Sequence, residues 1–181
     1  MFAKNILIID FESTSIDPAK AEPTQLAAIL LDKENLAELG SYSSFIKADL
    51  KDADPQSMAV SGIDSAKLEN APDQKEAANQ LVNHFGFDLF LASWIEHLDR
   101  RMLQKIMRAA DINPMQYDYH YLDLWPIAYT YLVQRGYKGG IRSEEIFQAF
   151  GMRGRAHHDA LEDCRLEAEI FRKIVFNNFN S

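Results

Sequence analysis

The chain opens on an unbroken apolar run, Ile6-Leu7-Ile8-Ile9, inside the segment Lys4 to Asp10. Such a β-branched-rich run predicts a strand buried on both faces, central in its sheet. A second apolar run, Leu26 to Leu31, follows a loop through Asp17-Pro18 and Glu22-Pro23. A third, Leu39 to Ile46, roughly alternates apolar and polar positions, as a half-exposed strand does. The three are short and close together, which predicts an antiparallel meander. Asp52 to Asn70 is polar, contains Pro55 and Gly62, and reads as a loop with one helical turn.

The period then changes. Glu76 to Phe85 sets Ala78, Leu81, Val82 and Phe85 on one helical face. Leu89 to Ser93 is another short strand, and Arg100 to Asp111 reads as helix. Pro126 stands where a helix would start and Gly136 where it would stop. Ser143 to Phe150 is a short helix with Ile146, Phe147 and Phe150 inward. A last helix, Ala160 to Phe176, spaces Leu161, Cys164, Ala168, Phe171 and Val175 at near-helical intervals. Strands first, then alternating helices and strands, predict an α/β fold: a central mixed sheet flanked by helices.

Composition narrows the class. A length of 181 residues suits a single domain over 1–181. With 47% hydrophobic and 25% charged residues, disorder is excluded. The one cysteine, Cys164, excludes a disulfide framework within the chain and a cysteine-based zinc site. Apolar runs are too short to span a bilayer, and the N-terminus lacks a signal-peptide core, so no membrane association and a cytoplasmic location are expected. The net charge of −8 argues against a phosphate backbone as partner, but it is unevenly spread. Residues 1–96 carry −9 and residues 97–181 carry +1, and all nine arginines lie in the second part.

Three sets of residues carry candidate chemistry. Asp10 and Glu12, two apart on a strand, point to the same face. Close carboxylates repel unless a cation neutralises them, and hard oxygen donors favour Mg²⁺ or Mn²⁺. The alternative is a solvated acidic strand end. Asp99 continues the stripe Leu103, Ile106, Ala110, so it faces inward, where a carboxylate is costly unless paired. Its alternative is a plain helix N-cap. In His157-His158-Asp159-Ala160-Leu161-Glu162-Asp163, Asp159 and Glu162 have capping-box spacing at the start of the last helix. That leaves His158 just outside the helix, with a pKa range suited to a general base, and Asp163 in the first turns. A surface turn with a favourable helix-end charge is the alternative there.

Taken in order, Asp10-x-Glu12, then Asp99, then His158-x-x-x-x-Asp163 resembles the DEDD superfamily of 3′–5′ exonucleases, in its histidine-containing (DEDDh) branch. Ser13-Thr14 follows Glu12 much as the family's threonine pair does, and Ser61-Gly62-Ile63 looks like its His-x-Gly-Ile-type loop. Leu122-Asp123 resembles the family's Ile-Asp segment. The second motif departs from the family's His-Asn-x-x-Phe-Asp: here it reads Trp94-Ile95-Glu96-His97-Leu98-Asp99, with the spacing to Asp99 kept.

The resemblance implies a ribonuclease H-like sheet of about five strands, the first three antiparallel. It implies two Mg²⁺ or Mn²⁺ ions, with Asp10 bridging them, Glu12 and Asp163 completing one site, and Asp99 supporting the other. His158 would take a proton from the attacking water, releasing nucleoside 5′-monophosphates from a 3′ end. Ser13 and Thr14 would contact the terminal sugar. Trp94 would either stack a base or pack in the core. Arg100, Arg101 and Arg155 are candidate phosphate contacts. The implied partner is single-stranded or 3′-ended nucleic acid, DNA or RNA, and a homodimer is allowed. Two other functions fit the composition: a catalytically silent nucleic-acid-binding or scaffold module, and a protein-interaction module with an acidic surface.

Overall fold

The computed structural model describes residues 2–17, 19–152 and 159–177. Its centre is a five-stranded sheet of order β3-β2-β1-β4-β5. The strands are β1 (Ile6–Ser13), β2 (Pro23–Leu31), β3 (Glu38–Phe45), β4 (Phe90–Ser93) and β5 (Tyr121–Asp123). The expected meander is present, since β1 pairs antiparallel with β2 and β2 with β3. On the other side β4 runs parallel to β1, and β5 parallel to β4. Ile6 to Ile9 are fully buried on both faces, as their unbroken apolar pattern requires.

Seven helices cover the sheet among the described residues: α1 (Pro55–Ser61), α2 (Ser65–Glu69), α3 (Gln74–Phe85), α4 (Glu96–Ala109), α5 (Leu124–Val133), α6 (Ser143–Ala149) and α7 (Ala160–Val175). Strand parity divides the core. Ile6, Ile8 and Ala92 pack with α5, α6 and α7, while Leu7, Ile9 and Leu91 pack with α3 and α4. No described helix is long and apolar enough to cross a membrane.

Two local expectations are corrected. The stretch Asp52 to Asn70 is not a loop with one turn but holds α1 and α2. These helices are too short and polar to show an apolar stripe, yet their ends are specified. Asp54 and Asp64 cap them with side-chain carboxylates, Pro55 occupies the first turn, and Gly62 closes α1 at φ 62°. The second correction concerns α4, which begins at Glu96 rather than Arg100, with Ile95 at the N-cap position. Asp99 is therefore inside the helix and is not its cap.

Candidate active site

The C-terminal half of β1, the central strand, carries Asp10 and Glu12, and a register irregularity follows directly between Glu12 and Ser13. A bulge there ends regular pairing and turns the strand out of the sheet. The chain then folds back through Thr14, whose N–H donates to the Glu22 carbonyl at 2.9 Å while its Oγ1 accepts from the Glu22 N–H at 3.0 Å. Lys105 of α4 holds the same loop, donating to the Glu22 carboxylate at 2.6 Å and the Ala21 carbonyl at 2.9 Å.

From the opposite side, α7 brings Asp163. Carboxylate oxygens of Asp10, Glu12 and Asp163 lie within 4.8 Å of one another. Asp159 fixes where α7 begins: one oxygen accepts from the N–H groups of Leu161 and Glu162, and the other accepts from the Gln25 side chain on β2 at 3.1 Å. Asp99 arrives from α4 on the other face of the sheet. Its Oδ1 accepts from the backbone N–H of Phe11 at 3.2 Å, so it sits between the two strand carboxylates along the chain.

All four acids line one cavity of about 370 Å³. Its wall also holds Asp54 and Glu167, and among the described residues no Lys, Arg or His. Asp99 is only 5% exposed. Burial pushes its carboxyl up to about 7; the Glu12 charge adds to the rise, and the hydrogen bond from the Phe11 N–H pulls the other way. Without cations, these acids would repel one another and any phosphate. Three convergent carboxylates from two rigid elements form a hard-oxygen donor set that fits Mg²⁺ or Mn²⁺.

The remaining expected residues divide. Ser13 lines the cavity, and its hydroxyl donates to the Ser15 carbonyl at 2.9 Å. Thr14 is buried and does not line it. Trp94 is 4% exposed; its ring packs on Phe147 with centroids 4.7 Å apart, and its indole N–H donates to Ser143 Oγ. It lines the cavity while remaining buried. Arg100 pairs with Glu96 at 2.9 Å, and Arg101 is exposed on α4. His158 and Arg155 lie outside the described residues.

Sequence reasoning missed Glu167. It is 2% exposed, lines the cavity, and stands one turn beyond Asp163. The signal was available, because Ala160, Asp163, Glu167 and Ile170 are spaced 3-4-3, the same helical period that, as 4-3-4, pointed Asp99 inward. Asp54, Ser57 and Val60 of the α1 region were missed with the helix itself.

The model of the family described as Exonuclease (RNase_T) matches residues 7–171, nearly the whole chain. The chain belongs to this exonuclease family, of the DEDD superfamily. Among curated relatives, it is 23% identical over 169 residues to the DNA polymerase III PolC-type protein of Thermotoga maritima, covering 93% of this chain and 12% of that protein. It is 25% identical over 176 residues to the DNA polymerase III subunit epsilon of Aquifex aeolicus, covering 93% of this chain and 79% of that one. The fold is similar to E. coli Exonuclease I in complex with a dT13 oligonucleotide, with a TM-score of 0.80 and 19% identity over 97% of this chain and 43% of that chain. It is also similar to cell-death related nuclease 4, with a TM-score of 0.76 and 21% identity over 96% and 64% of the two chains. The chain thus spans about an eighth of its PolC-type relative and has a ribonuclease H-like fold.

Proposed function

We propose that this chain is a metal-dependent 3′–5′ exonuclease that acts as one domain over residues 1–181 in the cytoplasm. It would release nucleoside 5′-monophosphates from a 3′ end. The observation that carries the reading is the approach of the Asp10, Glu12 and Asp163 oxygens to within 4.8 Å, in the wall of a cavity large enough for a nucleotide. Family membership and the likeness to an oligonucleotide-bound Exonuclease I support nucleic acid as the substrate. The likeness to an epsilon subunit leaves a polymerase partner open. The reading needs only one copy of the chain, and the comparisons do not favour a homodimer.

Asp10, Glu12 and Asp163 would hold the ions, with Asp99 as a further ligand direct or through water. Two Mg²⁺ or Mn²⁺ ions bound there supply charge neutralisation, a more acidic attacking water and stabilisation of the departing 3′ oxygen. His158, immediately before the Asp159 cap, would accept the proton of that water, in keeping with the histidine-containing branch. Asp159, the residue after it in sequence, is held by Gln25 and by the first turn of α7. The cavity wall supplies Ser13 and Ser15 hydroxyls and the apolar side chains of Phe11, Ile95 and Leu98 to seat the terminal sugar and base. Thr14, with its hydroxyl engaged by the Glu22 N–H, holds this loop in shape, and Trp94, packed on Phe147, leaves little surface for a base to stack on.

The test uses matched 5′-labelled single-stranded DNA and RNA with Mg²⁺ or Mn²⁺. Stepwise shortening from the 3′ end, abolished by chelation, is expected. A strand that stays intact with either metal overturns the reading, and the faster of the two strands names the sugar class.

A further inference from the structure

The cavity holds six carboxylates and, among the described residues, no cation. Divalent ions there can receive the scissile phosphate, but the phosphates upstream of it need positive charge elsewhere. Residues 124–143 hold no Asp or Glu and contain Arg135, Lys138 and Arg142, in a chain whose net charge is −8. Arg135 is engaged, with its guanidinium 3.5 Å over the Tyr131 ring and a hydrogen bond to Asn177. Lys138 and Arg142 are exposed, and neither forms an ion pair among the described residues.

Both stand on the loop from α5 to α6, which leads into Ser143 at the cavity wall. Ser143, next to Arg142, lines the cavity and accepts from the Trp94 indole. The Ile141 carbonyl accepts from the Trp125 indole at 3.2 Å, and the Trp125 N–H donates to the Trp94 carbonyl. The loop is held in one shape. A Cβ on Gly139 would meet the Tyr137 ring, and one on Gly140 the Glu145 carboxylate. The Tyr137 hydroxyl donates to the Gly140 carbonyl at 3.0 Å, and the Arg142 N–H donates to Glu145 at 3.0 Å. Beside it, Trp125 and Tyr129 stack at 5.2 Å, both half-buried. A single strand is bound by cations that meet its backbone together with aromatic side chains that stack its bases.

We propose that the α5–α6 loop is a rail for single-stranded nucleic acid, in which Lys138 and Arg142 contact phosphates upstream of the 3′-terminal nucleotide. This rests on the exonuclease reading. The loop adds affinity for long substrates and takes no part in bond cleavage.

The double variant Lys138→Gln/Arg142→Gln tests it against a control of equal charge, Lys33→Gln/Lys75→Gln, which alters exposed lysines elsewhere. Fluorescence anisotropy of a labelled 12-nucleotide single strand is followed from 50 to 300 mM salt, with Ca²⁺ replacing Mg²⁺. Each lost phosphate contact lowers the salt slope by about 0.7, so two contacts cost on the order of tenfold in affinity at 0.1 M salt. The loop variant should show this loss and the control should not, while hydrolysis of the p-nitrophenyl ester of thymidine 5′-monophosphate, which ends at the cavity, stays at the wild-type rate. An unchanged salt slope, an equal loss in the control, or a parallel loss on the small ester overturns the proposal. Failure of the exonuclease reading is separate: the wild type would then cleave neither substrate, while the binding comparison would still be measured.

Discussion

The backbone N–H of Phe11 donates to Oδ1 of Asp99 at 3.2 Å, joining residues 88 apart in sequence. This bond pins the α4 acid beside the strand that carries Asp10 and Glu12. It also separates two properties of Asp99, its position and its charge. Asp99→Asn keeps an oxygen acceptor for Phe11 and loses the charge. Activity should fall by more than about a hundredfold, the loss that removal of an outer-shell partner alone can cause.

The same substitution has a signed effect on stability in chelator. In the fold Asp99 titrates at about 7, above its ordinary 3.8, because it is buried. Its neutral form is the one the fold favours. The stabilisation is therefore complete below about pH 4 and is lost as pH rises through about 7. Near pH 4, wild type and Asp99→Asn should melt alike. At pH 8 the metal-free variant should melt higher, on the order of several degrees. Melting curves across this range check it; a variant less stable than wild type at pH 8 refutes the burial argument.

Metal holding and proton transfer should separate in the other site variants. Asp10→Asn and Asp163→Asn each remove a negative charge and one oxygen donor from the cluster, so both activity and the rise in melting temperature on adding Mn²⁺ should be lost. His158→Ala should lower kcat about 10²- to 10⁴-fold at neutral pH and keep the Mn²⁺-induced rise. It should also flatten the pH–rate profile below neutrality. A His158→Ala enzyme with full activity removes this histidine from the reaction.

Local pattern was enough to read β1, its burial on both faces and the shared face of Asp10 and Glu12, because strand parity is a two-residue rule. The inward direction of Asp99 followed from the same reasoning at helical period. Contacts such as Phe11–Asp99 or Gln25–Asp159 were not legible, since they depend on how distant elements pack. β5 is only three residues long, too short to show a period. Glu167 escaped because an apolar stripe was sought, and a buried acid interrupts it while keeping its spacing.

Tyr117 offers a test of packing away from the cavity. It is 3% exposed, sits edge-on to Phe87 with centroids 5.0 Å apart, and its hydroxyl has no hydrogen-bond partner among the described residues. Burial pushes its phenol up to about 12. Tyr117→Phe keeps the ring and removes the unsatisfied hydroxyl, so stability should be unchanged or rise by up to about 1 kcal/mol. Above pH 10 the wild type must ionise a buried phenol to titrate and the variant need not, so their difference should shift with pH. Urea denaturation at pH 7 and pH 11 measures both effects, and a loss above about 1 kcal/mol at pH 7 would reveal a partner for the hydroxyl.

Gln25 links the core of the sheet to the start of α7. Its amide is buried and donates to Asp159 at 3.1 Å, next to His158 in sequence. Gln25→Ala removes that tie and leaves every cavity carboxylate in place. Asp159 still caps α7 through Leu161 and Glu162, so the stability loss should be modest, about 1 kcal/mol. Catalysis should suffer more than folding, because His158 directly precedes Asp159 in sequence and the carboxylates of the cavity are left untouched. The expected signature is kcat lowered about tenfold or more with the Mn²⁺-induced rise in melting temperature retained, since small displacements of a reacting group are expensive. Gln25→Glu sharpens the case. It sets a second carboxylate against Asp159 and should lower kcat further, with the defect easing as pH falls and one of the pair takes up a proton. If kcat in Gln25→Ala equals that of the wild type, Gln25 serves the fold alone and the position of His158 is set from elsewhere.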